Sequence, residues 1–251
     1  MKEDKQCYHF TQLCRADSIN QKGLESRAEG NCKSVGDTKK KVSYSLGKVG
    51  AIGLYANFYE VYQNYKTGKR IPRPEKPGEV EMYNGIMKSK DFEDFLSEGI
   101  YLLFDQEGFE NEGGNHGIEK GNIYDCSTTK GVSPDKIHVG FVKNNDTGEV
   151  SYSRKDYMHY LMATLSNEEY SQLIPEMQTR YQEYVKDHIE EVKEYRSGNY
   201  SIGESSLKDF CKEHSVDIQK ALQEELVKSQ KDKDDKSPVK SNEQTKDDEE
   251  R

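Results

Sequence analysis

Two kinds of apolar spacing divide the chain. Through about residue 155 the apolar positions fall in short runs that predict strands, at Gln6 to Thr11, Val42 to Ser45, Ile100 to Phe104, Gly121 to Asp125, Ile137 to Val142 and Val150 to Ser153. The last two flank "KNNDTGE", a turn composition that predicts a hairpin. Helical spacing interrupts these runs twice. "QLCRADSINQKGL" puts Leu13, Ala16 and Ile19 on one face and stops at Gly23. "GKVGAIGLYANFYEVYQNYKTG" carries Ile52, Tyr55, Phe58, Tyr59, Tyr62 and Tyr65, a wide aromatic face that must pack on something, and stops at Gly68. "KRIPRPEKPGEVE" holds three of the six prolines and predicts an irregular loop.

Beyond residue 165 the spacing is helical throughout. Tyr170, Leu173, Ile174, Met177, Tyr181, Val185, Val192 and Tyr195 recur every three to four residues. Ser166 with Glu169 forms a capping box, Pro175 breaks or restarts the helix, and Gly198 ends it. "SSLKDFCKEHSVDIQKALQEELVK" predicts two short helices with a turn near His214 to Val216. From Ser229 onward, 14 of 23 residues are charged and Val239 is the one aliphatic, so the tail cannot bury enough apolar surface to offset its ordering entropy. The expected organisation is an α+β domain at 5–160, a helical extension at 161–228 and a disordered charged tail at 229–251.

Composition narrows the classes. Of 251 residues 32% are hydrophobic and 33% charged, so a modest core must draw on the 17 tyrosines. No run approaches the roughly 18 apolar residues of a membrane helix, and the first residues lack a signal-peptide segment, so a cytoplasmic protein without membrane contact is expected. A net charge of −9 argues against binding nucleic acid through a general positive field, although Lys39, Lys40 and Lys41 with Lys33 and Lys48 leave a local basic groove open. Five cysteines, odd in number and widely spread, suggest neither a disulfide framework nor a zinc site. The six histidines show no metal-ligand spacing, and His188 and His214 are expected on exposed helical surfaces. No metal is expected.

Walker, dinucleotide-binding, zinc-protease and nucleophile-elbow motifs are all missing from the sequence. Three features remain. Strand alternation puts His9 and Thr11 on one face of the opening strand and Tyr8 and Phe10 on the other. "KVSYSLGKVGAIGLY" is a strand with Ser43, Tyr44 and Ser45 that turns through Gly47 into a helix, a junction able to hold an anionic group. "GNIYDCSTTKGVSPDKIHVGFV" carries Asn122, Tyr124 and Asp125 ahead of Val132 to Ile137 and a further strand.

The order of these features resembles the ADP-ribosyltransferase fold, in particular its histidine-bearing branch of DarT-type DNA ADP-ribosyltransferases and tRNA 2′-phosphotransferases. The family's Y-H-x-T strand is similar to Tyr8 to Thr11. Its "I-x-x-x-G-L" helix end is similar to Ile19 to Leu24, its hydroxyl-bearing strand and following helix to Ser43 to Ala51, and its "V-x-P-x-x-I" step to Val132 to Ile137. The resemblance covers roughly residues 7–142. It implies a split β-sheet with flanking helices and NAD as a substrate. By the same resemblance His9 bonds the adenosine-side ribose with Thr11 nearby, Tyr44, Ser43 and Ser45 support the nicotinamide-ribose half, and a macromolecule, protein or nucleic acid, accepts the ADP-ribose.

The family's glutamate is replaced here. Asp125 is the carboxylate on the corresponding strand, Glu119 lies just upstream, and Glu110 and Glu112 sit in the glycine-rich "EGFENEGGNHGIE". Asp125, Glu119 and Tyr44 are therefore the candidate catalytic residues. Each residue also has a plainer reading: His9 as a strand histidine satisfied locally, Ser43 and Ser45 as the outer face of a strand that buries Val42 and Tyr44, Asp125 as a turn former. A non-catalytic interaction module using the same fold and its helical extension is the alternative function.

Overall fold

A computed structural model of the chain describes residues 5–25, 42–67, 99–106, 123–124 and 126–234, with Gly108, Glu110 and Glu112 singly; the side chains of 57–66 and 228–234 lie outside the description. Seven strands, β1 (Gln6–Gln12), β2 (Val42–Leu46), β3 (Gly99–Asp105), β4 (Cys126–Thr128), β5 (His138–Asn144), β6 (Val150–Ser151) and β7 (Tyr200–Ser206), make one open antiparallel sheet. Its order is β4-β2-β1-β3-β5, with β6 and β7 both paired to β5. The helices are α1 (Ala16–Lys22), α2 (Gly47–Lys66), α3 (Arg154–Ala163), α4 (Asn167–Gln172), α5 (Pro175–Asp187), α6 (Ile189–Arg196), α7 (Leu207–Glu213) and α8 (Ser215–Asp234). The fold is α+β.

β1 is paired along its whole length to β3, from Gln6 opposite Asp105 to Gln12 opposite Gly99, and on its other side to β2. Alternation then sends its residues into two separate cores. Tyr8, Tyr101 and Leu103 face Ile52 and Tyr55 of α2, Tyr157, Met158 and Leu161 of α3 and Tyr184 of α5. Cys7, Leu102, Phe104 and Val139 face Ala16 of α1, Leu207 and Phe210 of α7 and Ile218 of α8. Buried tyrosines make much of the first core, as the low aliphatic content requires: Tyr55 meets Tyr184 edge-on at 5.4 Å, and Tyr101 lies 5.7 Å from Tyr157.

Local chemistry explains the element ends. Gly23 ends α1 at φ 81° and ψ −173°, a region open to glycine alone, and a Cβ there would lie 2.2 Å from the Val132 carbonyl oxygen. The close approach lets Leu24 and Val132 exchange two backbone hydrogen bonds of 2.9 and 3.0 Å, joining segments more than a hundred residues apart. The Ser166–Glu169 capping box forms in both directions, and a break at Leu173–Ile174 precedes Pro175 in the first turn of α5. His214 separates α7 from α8, in the expected turn.

Several expectations change. Residues 161–228 are not purely helical, because Tyr200–Ser206 forms β7 and adds seven register pairs to β5. Before them, α3 is a helix over residues that carried no sequence assignment, and it supplies the centre of the first core. Of the strand expected at Gly121 to Asp125, Ile123 and Tyr124 form a bend ahead of β4, and Gly121, Asn122 and Asp125 lie outside the described residues. α8 runs six residues into the segment expected to be tail; the remainder, like Cys32, Lys39 to Lys41, His116 and the proline-rich segment, lies outside the described residues. His188 and His214 are half-buried. His188 stacks on Tyr184 at 4.3 Å, and His214 packs against Phe210 at 4.6 Å.

Burial raises the phenols of Tyr101 and Tyr157 far above the usual range, by desolvation first; for Tyr157 the neighbouring Tyr8 and Glu204 add to it. Folded tyrosines thus keep protons that unfolded ones lose above about pH 10. Their contribution is complete below that pH and is lost as pH rises through it. The urea midpoint is expected to fall steadily above about pH 10, with the share of tyrosinate absorbance lost in Tyr101→Phe and Tyr157→Phe appearing only on unfolding.

Candidate functional site

The ladder between β1 and β2 is registered at Cys7 with Leu46 and Tyr8 with Ser45. One residue further on, the His9 imidazole spans the two strands, its Nδ1 2.7 Å from the Ser43 carbonyl oxygen. A carbonyl can only accept, so Nδ1 carries a proton. Continuing the register sets His9 beside Tyr44. Both belong to the face of Cys7 and Leu102, as does Thr11, which is buried.

Tyr44 is buried and meets Phe104 edge-on at 6.0 Å, while Gln106 Nε2 donates to its hydroxyl at 3.4 Å. Burial chiefly, then the Cys126 and Cys7 thiols, raises its phenol well beyond the normal range; the Gln106 hydrogen bond opposes this and the Glu112 carboxylate adds to it. Tyr44 therefore stays neutral and acts as a hydrogen-bonding hydroxyl, not as a base. Glu112 is fastened to the outer edge of β4: its N–H donates to the Ser127 carbonyl at 2.8 Å, and its Oε1 accepts from Thr129 N–H at 2.8 Å and Thr129 Oγ1 at 2.7 Å.

The remaining expected residues go elsewhere or lie outside the description. Ser45 is 1% exposed and shares the face of Tyr8, across the sheet from His9; its Oγ donates to the Tyr124 carbonyl at 3.0 Å. Leu46 N–H donates to the Ile123 carbonyl at 2.8 Å, and a Cβ on Gly50 would lie 2.3 Å from that same oxygen. The strand-to-helix corner, expected as an anion site, is thus packed against Ile123 and Tyr124. Ser43 serves His9 with its carbonyl rather than its hydroxyl. Asp125 and Glu119 lie outside the described residues, but the two neighbours of Asp125 are both tied to β2, Tyr124 through Ser45 and Cys126 through its pairing with Tyr44.

Sequence patterns gave no sign of Gln106, which directly follows β3 and reaches the Tyr44 hydroxyl. They also left open a basic groove that included Lys48, beside the plainer reading of a solvated turn. Instead its ammonium donates to the Thr164 carbonyl at 2.9 Å and to Glu169 Oε2 at 3.1 Å, locking the start of α2 to the capping box of α4. Among the described residues no three metal-ligating side chains cluster, and no helix is long and apolar enough to cross a membrane.

Desolvation raises the Glu169 carboxyl, but the Ser166 N–H and the Lys48 ammonium outweigh it and hold the group below the ordinary glutamate range. A carboxylate lowered in the folded state stabilises above its unfolded pKa and loses that effect as pH falls through its folded value. Lys48→Met is expected to lower the urea midpoint at neutral pH and to shrink the loss of stability between about pH 5 and pH 3; an unchanged acid limb would show that Lys48 does not act on Glu169. No known family model matches the chain, and no curated protein or solved structure is significantly similar to it.

Proposed function

We propose that the chain is an NAD-dependent ADP-ribosyltransferase-like protein that modifies a macromolecular acceptor, with the β1 face of His9 and Thr11 as the NAD side of its cleft. One observation carries the reading. The Ser43 carbonyl holds a proton on His9 Nδ1, and in the neutral form of that ring Nε2 is an acceptor, which suits a ribose hydroxyl donor. The motifs of the resemblance also lie together: β4, β2 and β1 are neighbours in the sheet, and the "INQKGL" and "VSPDKI" segments pair at Leu24 and Val132.

In this reaction the bond between the ribose C1′ and the nicotinamide nitrogen breaks, its electron pair leaving with nicotinamide. The acceptor's nucleophile bonds C1′ and gives up its proton. Charge on the ribose in between resembles an oxocarbenium ion, and a carboxylate hydrogen-bonded to the 2′-hydroxyl stabilises it more in the transition state than in the ground state. Asp125 or Glu119 fills that role in the reading from sequence. Glu112 joins them as a carboxylate whose charge reaches Tyr44.

The interaction-module reading draws on α8, which exposes Val216 by 78%, Leu226 by 53% and Val227 by 52%. Calorimetric titration with NAD separates the two. The wild type is expected to bind below millimolar NAD and His9→Ala at least about tenfold more weakly, a difference of about 1.4 kcal/mol. Of Asp125→Asn, Glu119→Gln and Glu112→Gln, one is expected to reduce nicotinamide release by on the order of 100-fold with NAD affinity retained. No binding at millimolar NAD would overturn the transferase reading in favour of the interaction module.

A further inference from the structure

A cavity of about 530 Å³ opens between the turn Leu13–Arg15, β6 and the helix pair α7–α8. That volume falls within the range of small-molecule sites, roughly 300–1,000 Å³. Nothing in the His9 site uses it. Three rings pack together along one side of it: Tyr152 lies 4.8 Å from Phe210 and 4.9 Å from His214, and Phe210 lies 4.6 Å from His214. Leu13 and Ile100 make an apolar wall. α8 makes the facing wall, with Asp217 and Glu224 seven residues apart, Ala221 between them and Glu225 next to Glu224. Seven residues are close to two helical turns, so the two carboxylates share a face about 10 Å apart along the axis. Against the three carboxylates the lining holds Lys220 and the His214 imidazole, whose Nδ1 lies 3.7 Å from Asp217 Oδ2.

We propose that this cavity binds a linear organic polycation, a diamine or polyamine. An anion is disfavoured by the carboxylates, and an uncharged ligand would strip water from them without return. A chain with ammonium groups at both ends and methylenes between meets each part of the lining: carboxylates at the two ends of the α8 wall, apolar side chains, and the aromatic side chain of Tyr152. The spacing of Asp217 and Glu224 is roughly the extended reach between the outer nitrogens of spermidine. Both carboxylates are at exposed positions, Asp217 beside His214, whereas Phe210 and Ile218 are buried. The site stands apart from the NAD reading and does not depend on it.

Spermidine titrated calorimetrically into the full chain is the test. The wild type is expected to bind it below millimolar concentration, and a neutral diol of similar length is expected not to bind. Asp217→Asn with Glu224→Gln should weaken spermidine at least tenfold, and Ala221→Phe, which fills the cavity without changing charge, should abolish binding. Glu183→Gln with Glu191→Gln, which removes the same charge from exposed positions on α5 and α6, should leave the affinity unchanged. Thermal unfolding of each variant checks that it is folded. The proposal is overturned if spermidine fails to bind at millimolar concentration, if the α5–α6 control weakens it equally, or if Ala221→Phe still binds.

Discussion

β1 lies inside the sheet, with neighbours on both edges. It is hydrogen-bonded to β2 on one edge and β3 on the other, and its alternate residues enter two different cores. A strand so placed is stable only when both sheet faces are covered, because each uncovered face would leave a row of apolar side chains wet. The cover is supplied from far along the chain. α3 and α5 close the Tyr8 face, α7 and α8 close the Cys7 face, and β7 completes the sheet beyond β5. Residues that sequence spacing marks as an appendage are therefore part of what holds the opening strand in place. His9 inherits its position from this arrangement.

The sequence made much of the fold legible where a side chain both sets the local conformation and takes part in burial. The alternation in β1, the continuous apolar run of β3, the glycine that ends α1, the Ser166–Glu169 cap and Pro175 all act through their own residue type. α3 escaped because two polar residues, Arg154 and His159, sit inside its buried surface and interrupt the apolar spacing, although Tyr157, Met158, Leu161 and Met162 do follow it. Arg154 is buried with its guanidinium 4.3 Å over the Phe10 ring, an arrangement no spacing rule anticipates. β7 escaped for the opposite reason: "YSIGESS" has few residues of high strand preference, and it is held by main-chain pairing to β5 more than by side-chain burial.

The candidate site was half legible for the same kind of reason. His9 could be singled out as a polar residue on a strand face, but its partner is the Ser43 carbonyl, and a carbonyl carries no residue identity. The hydroxyls of Ser43 and Ser45 looked like ligand groups because the strand pairing that sends Ser45 to the far face is a long-range fact. Ser45 fastens Tyr124 instead, and in doing so ties down the chain next to Asp125. A cluster of small constraints thus converges on one corner: His9 held by β2, Tyr44 held by Phe104 and Gln106, and Glu112 held by Thr129. The α7–α8 cavity was invisible in sequence because its lining comes from five separate segments.

The central proposal is that β2 holds the proton of His9 on Nδ1 and that Nε2 accepts from NAD. Long-range proton–nitrogen correlation on histidine-labelled protein, with His9→Gln to assign the resonance, reads it directly. A protonated Nδ1, an imine-type Nε2 and an Nε2 shift on adding NAD that the other five histidines do not share are the results expected. A proton on Nε2 in the free protein, or no response of that nitrogen to NAD, would contradict it.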